Sequence, residues 1–133
     1  DTDISEDVPW NAYGTRGVQW MRLRHKATGK TLFFMNHHGP LSINSGGAQG
    51  GVALAQKLLA TISSNSVQGD TVILVGDFNA NAASLVVQEL RKKLFHIFSG
   101  HAYGGIDNIF SNAGGQAVVG TSNLGSGGSD HDA

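Results

Sequence analysis

Four short polar clusters interrupt an apolar, glycine-rich sequence, and their residue types suit a centre that holds a cation, a water or a phosphate oxygen. They are Asn36-His37-His38, Gly76-Asp77-Phe78-Asn79, Ser129-Asp130-His131, and Asp107 set between Ile106 and Asn108-Ile109-Phe110. If the backbone stays extended after residue 76, Asp77 and Asn79 face the same side and can act together. The Asp77 carboxylate can bind a hard cation or hold a water. The Asn79 amide offers both a donor and an acceptor to orient that water or meet a phosphate oxygen. A carboxylate held against a histidine fixes its tautomer and stabilises the imidazolium, and Asp107 suits that part for His131. Asp and Asn after a strand also serve as ordinary turn residues. The signal therefore lies in the combination.

Each cluster needs an element to hold it. Residues 18–25 alternate as a strand, with Val18, Trp20, Arg22 and Arg24 on one side and Gln19, Met21 and Leu23 opposite, so both faces are expected to be partly covered. Turn residues at 27–30 lead into a second, nearly all-apolar strand at 31–36, which predicts a hairpin with a strand buried on both faces. A polar loop spans 42–51. Val52, Ala55, Leu58, Leu59 and Ile62 then recur at helical spacing, and residues 71–75 form a short apolar strand running straight into Gly76-Asp77. Ala83, Val86, Val87, Leu90 and Leu94 predict a second helix over 83–94, with Arg91, Lys92 and Lys93 at its cation-favouring end. Strands are expected at 106–110 and 116–119, the latter inside a stretch where eight of 25 residues (104–128) are glycine. The expected order is β, β, α, β, α, β, β.

The 133 residues make one domain, and 14% charged residues with 40% apolar content exclude a solvated disordered chain. No run reaches the length of a membrane-spanning helix, and the absence of cysteine excludes disulfides and thiolate metal sites. The acidic start is not the pattern of a signal peptide. A net charge of −1 hides an asymmetry: residues 1–7 carry four acids and no base, residues 8–69 six bases and no acid, and the remainder six acids and three bases. The stretch 16–30 is where an anionic partner such as nucleic acid would be sought. His25, His96 and His101 lack a partner pattern, His37 is a neighbour of the site, and Trp10 and Trp20 are expected to pack.

Taken in order, Asn36-x-His38, Gly76-Asp77-x-Asn79, Asp107 beside an apolar strand and Ser129-Asp130-His131 resemble the motifs of the endonuclease/exonuclease/phosphatase superfamily, the deoxyribonuclease-I-like fold. The resemblance implies an α/β (α+β) architecture: half of a four-layer α/β/β/α sandwich, with a mainly antiparallel sheet covered by helices on one face. It divides the chain into an acidic segment, 1–16, and the C-terminal half of such a domain, 17–133. It implies phosphodiester hydrolysis assisted by Mg²⁺ or another divalent cation. Asp77 would orient or deprotonate the water, Asn79 would position it, and His131, braced by Asp107, would act at the phosphate with His38 as a second histidine. Asp77, Asn79 and Asp130 would lie at the metal.

The family also takes a metal-binding Glu from its N-terminal half. Here Glu6 lies in the acidic segment and Glu89 inside a predicted helix. Little turnover is therefore expected from this chain alone, and a non-catalytic structural or self-assembling module on the same fold is the alternative. One sheet with helices on a single side leaves an apolar face and open edges, so self-association or pairing with a complementary chain is expected.

Overall fold

The computed structural model describes residues 2–4, 16–41 and 51–133 of the chain. The loop expected at 42–51, apart from residue 51 itself, lies outside the described residues, as do Glu6 and Trp10. The described elements are β1 (Thr2–Ile4), β2 (Arg16–Arg24), β3 (Thr31–His38), α1 (Gly51–Asn65), β4 (Thr71–Asp77), α2 (Leu85–Leu90), β5 (Phe95–Ser99) and β6 (Asp107–Ser111). The strands join in one sheet of order β1-β2-β3-β4-β6-β5, and every neighbouring pair is antiparallel except β3–β4.

The β2–β3 hairpin forms as its alternation requires, in register from Val18 opposite His37 to Arg24 opposite Thr31. Its turn is closed by the His25 N–H on the Lys30 carbonyl (2.8 Å) and the Gly29 N–H on the His25 carbonyl (2.8 Å). The helical spacing after residue 51 becomes α1, which buries Leu54, Ala55, Leu58, Thr61 and Ile62. That face and Val86, Val87 and Leu90 of α2 pack on the side chains that alternate toward them from the sheet: Val18, Phe33, Met35, Val72, Leu74 and Phe110. Trp20 stacks on Phe33 with ring centroids 5.4 Å apart, a packing role. The opposite face carries Met21, Leu23, Leu32, Phe34, Ile73, Val75 and Ile109. None of these is buried, and Met21 and Leu23 are half exposed. The expectation that β3 is buried on both faces is thus corrected, while β2 is partly covered as its alternation predicts, because the described helices reach one side of the sheet only.

Three further corrections concern local elements. The second helix runs only over Leu85–Leu90, because the chain must turn to enter β5, and residues 92 and 93 tighten to bonds on the Glu89 and Leu90 carbonyls. Strand β5 itself has no alternating signature. It is an edge strand paired with β6, with a register shift between His96 and Phe98. The strand expected at 116–119 is instead a single 3-10 turn, Gly115–Ala117, with Val119 fully exposed, since two adjacent valines have no strand to pair with. At the other end of the chain, Thr2–Ile4 pairs with residues 16–18 as an edge strand that the acidic composition of 1–7 does not signal.

Candidate active site

The parallel β3–β4 pairing sets His38 opposite Asp77, and the antiparallel β4–β6 pairing sets Asp77 opposite Asp107. Three chemistry-bearing residues are thereby placed in one row on the open side of the sheet at the ends of β3 and β4. Gly76 permits this close approach: its φ is +141°, and a Cβ there would meet the His37 carbonyl oxygen at 1.8 Å. The ladder continues past the strands through the Gly39 N–H on the Asp77 carbonyl (2.7 Å), the Phe78 N–H on the Ile106 carbonyl (2.9 Å) and the Gly100 N–H on the Asp107 carbonyl (2.8 Å).

The backbone does not remain extended through Asn79, so the condition for Asp77 and Asn79 to share a face is not met. Asn79 takes φ 48°, a left-handed conformation that Asn tolerates, and its N–H donates to Asp77 Oδ1 at 2.7 Å. Its side-chain amide donates to the Gly39 carbonyl at 3.1 Å. Asn79 thus anchors Asp77 from behind and leaves Oδ2 facing two histidines, 3.6 Å from His38 Nε2 and 3.9 Å from His131 Nε2. Both separations exceed a hydrogen bond.

His131 arrives from the C-terminal loop. That loop is closed by the Leu124 N–H on the Ala133 carbonyl (2.7 Å) and the Ala133 N–H on the Gly125 carbonyl (3.0 Å), while Ser129 Oγ accepts from the His131 N–H at 3.1 Å. The ring Nδ1 donates to Asp107 Oδ2 at 2.9 Å. This bond raises the imidazole above its ordinary value, burial opposes it, and the charges of Asp107, Asp77 and Asp130 add to it. The bond also fixes Nε2 as the nitrogen turned toward Asp77.

Of the residues expected at a metal, Asp77 alone belongs to the cluster whose ligand atoms converge. Asp77, Asp107 and His131 each offer one atom within 4.8 Å of the others. Two carboxylate oxygens with an imidazole nitrogen fit a hard or borderline divalent cation. Asp130 is not one of this group and accepts from the Tyr103 hydroxyl at 3.0 Å, a bond that lowers the carboxyl and raises the phenol.

Three further residues border the site: Arg16, the one end of the basic stretch 16–30 that reaches it, and two that the sequence did not single out, Asn108 and Tyr103. Arg16 Nη1 lies 3.1 Å and 3.3 Å from the two ring nitrogens of His38. Asn108, buried on the helix side, donates to the carbonyls of Ala80 (3.0 Å) and Ile106 (2.9 Å), and accepts from His96 Nε2 (2.8 Å) and Ser99 Oγ (3.0 Å). It ties the loop after Asp77 to the loop before Asp107. A polar residue inside the apolar run 106–110 is the signal that marks it. Tyr103, beside His131, has no sequence signal beyond an aromatic residue among glycines. His37 points away from the row into the helix layer, where its Nδ1 donates to the Gly17 carbonyl at 3.2 Å. Among the described residues its Nε2 meets no partner, and burial lowers the imidazole to about 4. His25 sits in the hairpin turn, bonded to Thr28, and His101 contacts Asn123. The basic residues Arg24, Lys26 and Lys30 lie at the hairpin tip, at the opposite end of the strands from Asp77.

Several solved structures share this fold. The mannosyl-6-phosphatase Bt3783 of Bacteroides thetaiotaomicron is 20% identical with a TM-score of 0.61, over 83% of this chain and 49% of its own. The human Nocturnin catalytic domain with bound sulfate is 16% identical with a TM-score of 0.54, over 73% of this chain and 41% of its own. The beta toxin of Staphylococcus aureus with bound magnesium ions is 12% identical with a TM-score of 0.53, over 73% and 42%. The chain thus spans about half the length of these neighbours. Comparison with curated protein sequences gives no match. The Endonuclease/Exonuclease/phosphatase family model aligns with residues 6–131, almost the whole sequence and all four motifs, and the chain belongs to that family.

Proposed function

We propose that this chain carries the phosphate-processing part of a metal-dependent phosphodiester hydrolase, of the nuclease or related phosphoesterase type. The observation that carries the reading is the convergence of Asp77, Asp107 and His131, with His38 on the other side of Asp77 Oδ2. Asp77 has one oxygen held by Asn79 and the other open, so it can orient a water and take its proton. His131 has its tautomer set by Asp107 and can donate a hydrogen bond or proton to a phosphate oxygen through Nε2. On the far side His38 adds a ring nitrogen and the neighbouring Arg16 a positive charge. A divalent cation such as Mg²⁺, held at Asp77 within the convergent group, supplies neutralisation of the phosphate charge. With His131 Nε2 carrying the proton it offers to the phosphate, Asp77 and Asp107 leave most of the six or more positions of a hard cation unfilled, and low turnover is expected of this chain alone.

The test pairs metal binding with hydrolysis. Titration with Mn²⁺, followed by water-proton relaxation, is expected to show weak binding that Asp77→Ala removes. Cleavage of bis(4-nitrophenyl) phosphate should be slow and lost in both Asp77→Ala and His131→Ala. Mn²⁺ binding and cleavage indifferent to these substitutions would sink the reading.

A structural, self-assembling role is supported by one feature, the sheet face around Met21, Leu23 and Phe34, which no described helix covers. An apolar patch of more than a few hundred Å² is uncommon on a soluble monomer, and we propose that a second copy or a complementary chain covers it. Light scattering after size exclusion at micromolar concentration checks this: a stable monomer overturns it, and a dimer dispersed by Leu23→Lys supports it.

A further inference from the structure

Beside the row of His38, Asp77 and His131 lies a cleft of about 540 Å³. Its near wall is shared with the centre, through Asn79 and His131, and its far walls are Asn81, Ser84, Ile106 and Tyr103. None of the roles given above uses these far walls. Their chemistry differs from that of the centre. No lysine or arginine lines the cleft among the described residues, and Asp130 is its one carboxylate. A phosphate placed there would meet no cation, and would meet a carboxylate held ionised by the Tyr103 hydroxyl.

Tyr103 gives the cleft a platform. The residue is nearly two-thirds exposed, its ring centroid lies 5.1 Å from that of His131, and its hydroxyl is fixed on Asp130 at 3.0 Å. Its backbone takes φ 47°, which is uncommon for a bulky side chain. A strained, anchored and exposed aromatic ring is poor packing but a sound stacking surface. On the cleft's other wall, Ser84 Oγ donates to the Asn81 carbonyl (2.7 Å) and caps the Val87 N–H (3.5 Å), and Asn81 Oδ1 takes the Ala83 N–H (3.1 Å), which leaves the Asn81 Nδ2 donor and one Ser84 Oγ lone pair for a ligand.

We propose that this cleft is the subsite for the uncharged part of the substrate: a sugar ring attached to the phosphate, stacked by its apolar face on Tyr103 with its hydroxyls toward Asn81 and Ser84. The inference rests on the hydrolase reading for the position of the phosphate and adds what the phosphate must carry. It disfavours a substrate with a second phosphate on that ring.

The test is chemical-shift mapping of the ¹⁵N-labelled chain with Mg²⁺, using inorganic phosphate, glucose 6-phosphate and glucose 1,6-bisphosphate as probes. Phosphate is expected to move the amides around Asp77 and His131 only. Glucose 6-phosphate should move those and also Asn81, Ser84 and Tyr103, binding about tenfold tighter than phosphate, and the bisphosphate should lose that gain. Tyr103→Ala should reduce glucose 6-phosphate to the affinity of phosphate, while Tyr103→Phe, which keeps the ring, retains most of the difference. If the sugar phosphate shifts the centre but leaves residues 81, 84 and 103 still, or if Tyr103→Ala leaves the tenfold ratio intact, the subsite assignment is overturned and the hydrolase reading stands. If no probe moves Asp77 or His131, the hydrolase reading fails as well.

Discussion

Asp70 and Asp77 stand at the two ends of β4, and the same strand uses them in opposite ways. Asp70 is closed. Its two oxygens accept from Arg22 Nε (2.9 Å) and Nη2 (3.1 Å), Oδ2 also takes the Val67 N–H (3.0 Å), and its side chain is 3% exposed. Asn112 completes that end by accepting from the Val72 N–H (2.8 Å) and donating to the Asp70 carbonyl (2.9 Å). These bonds pull the Asp70 carboxyl below its usual range and lift the Arg22 guanidinium. Asp77 is open. One oxygen is taken by the Asn79 N–H, and the other faces two imidazoles across gaps of 3.6 Å and 3.9 Å. A carboxylate whose partners are all within the chain contributes to holding the fold. One whose partners stop short of contact keeps capacity for a ligand.

If that division is right, substitutions at the two ends should affect different measurements. The largest effect is expected from Asp77→Asn, which keeps the bond from the Asn79 N–H but loses the charge. Metal-dependent phosphodiester cleavage should fall about 100-fold or more, with the thermal midpoint almost unmoved. Asp70→Ala should do the reverse, leaving Arg22 and the Val67 N–H without their acceptor. A fall of about 10 °C in the midpoint is expected, with Mn²⁺ affinity of the folded protein unchanged. A midpoint loss at Asp77 equal to that at Asp70 would erase the contrast.

A third prediction concerns the layer beneath the site. Buried His37 titrates near 4 in the fold and near 6.5 when unfolded. The unfolded state therefore takes up the proton first as pH falls. Stability from this group is complete above pH 6.5 and lost as pH drops toward 4, by about 3 kcal/mol. Urea unfolding at pH 7 and pH 4 should show that loss, and His37→Gln should flatten that part of the slope whatever it does to absolute stability. The smallest effect is expected at Asn79. Replacement by Ala keeps the left-handed backbone without its tolerance and drops the bond to Gly39, for about 1–2 kcal/mol, whereas Asn79→Gly should cost less. Equal losses for Ala and Gly would mean that the positive φ is not what selects the residue.

Much of this frame is written locally. The hairpin of β2 and β3, the helical spacing of α1 and the apolar run into Asp77 were legible because alternation, the 3.6-residue period and turn residues act over a few positions. The chemistry of the four clusters was legible too, since residue type alone says what a side chain can bind. β5 and the shortened α2 were not. Leu94 continues the helical spacing, and what ends the helix is the pairing of Phe95–Ser99 with β6, which no local pattern carries. Asn79 shows the same limit at one residue: the sequence allowed an extended backbone, and the bond to Asp77 turned it.

The sequence by itself determined which residues have the chemistry to bind a cation, a water or a phosphate oxygen and which short elements end in them, because both depend on side-chain chemistry and near neighbours. Only the tertiary structure decided how those ends meet. The Asp107–His131 bond joins residues 24 apart, Tyr103 reaches Asp130 across 27, and the Arg22–Asp70 pair spans 48. Such contacts depend on strand order and burial, and these are fixed when distant segments exclude water together rather than by any single stretch of chain.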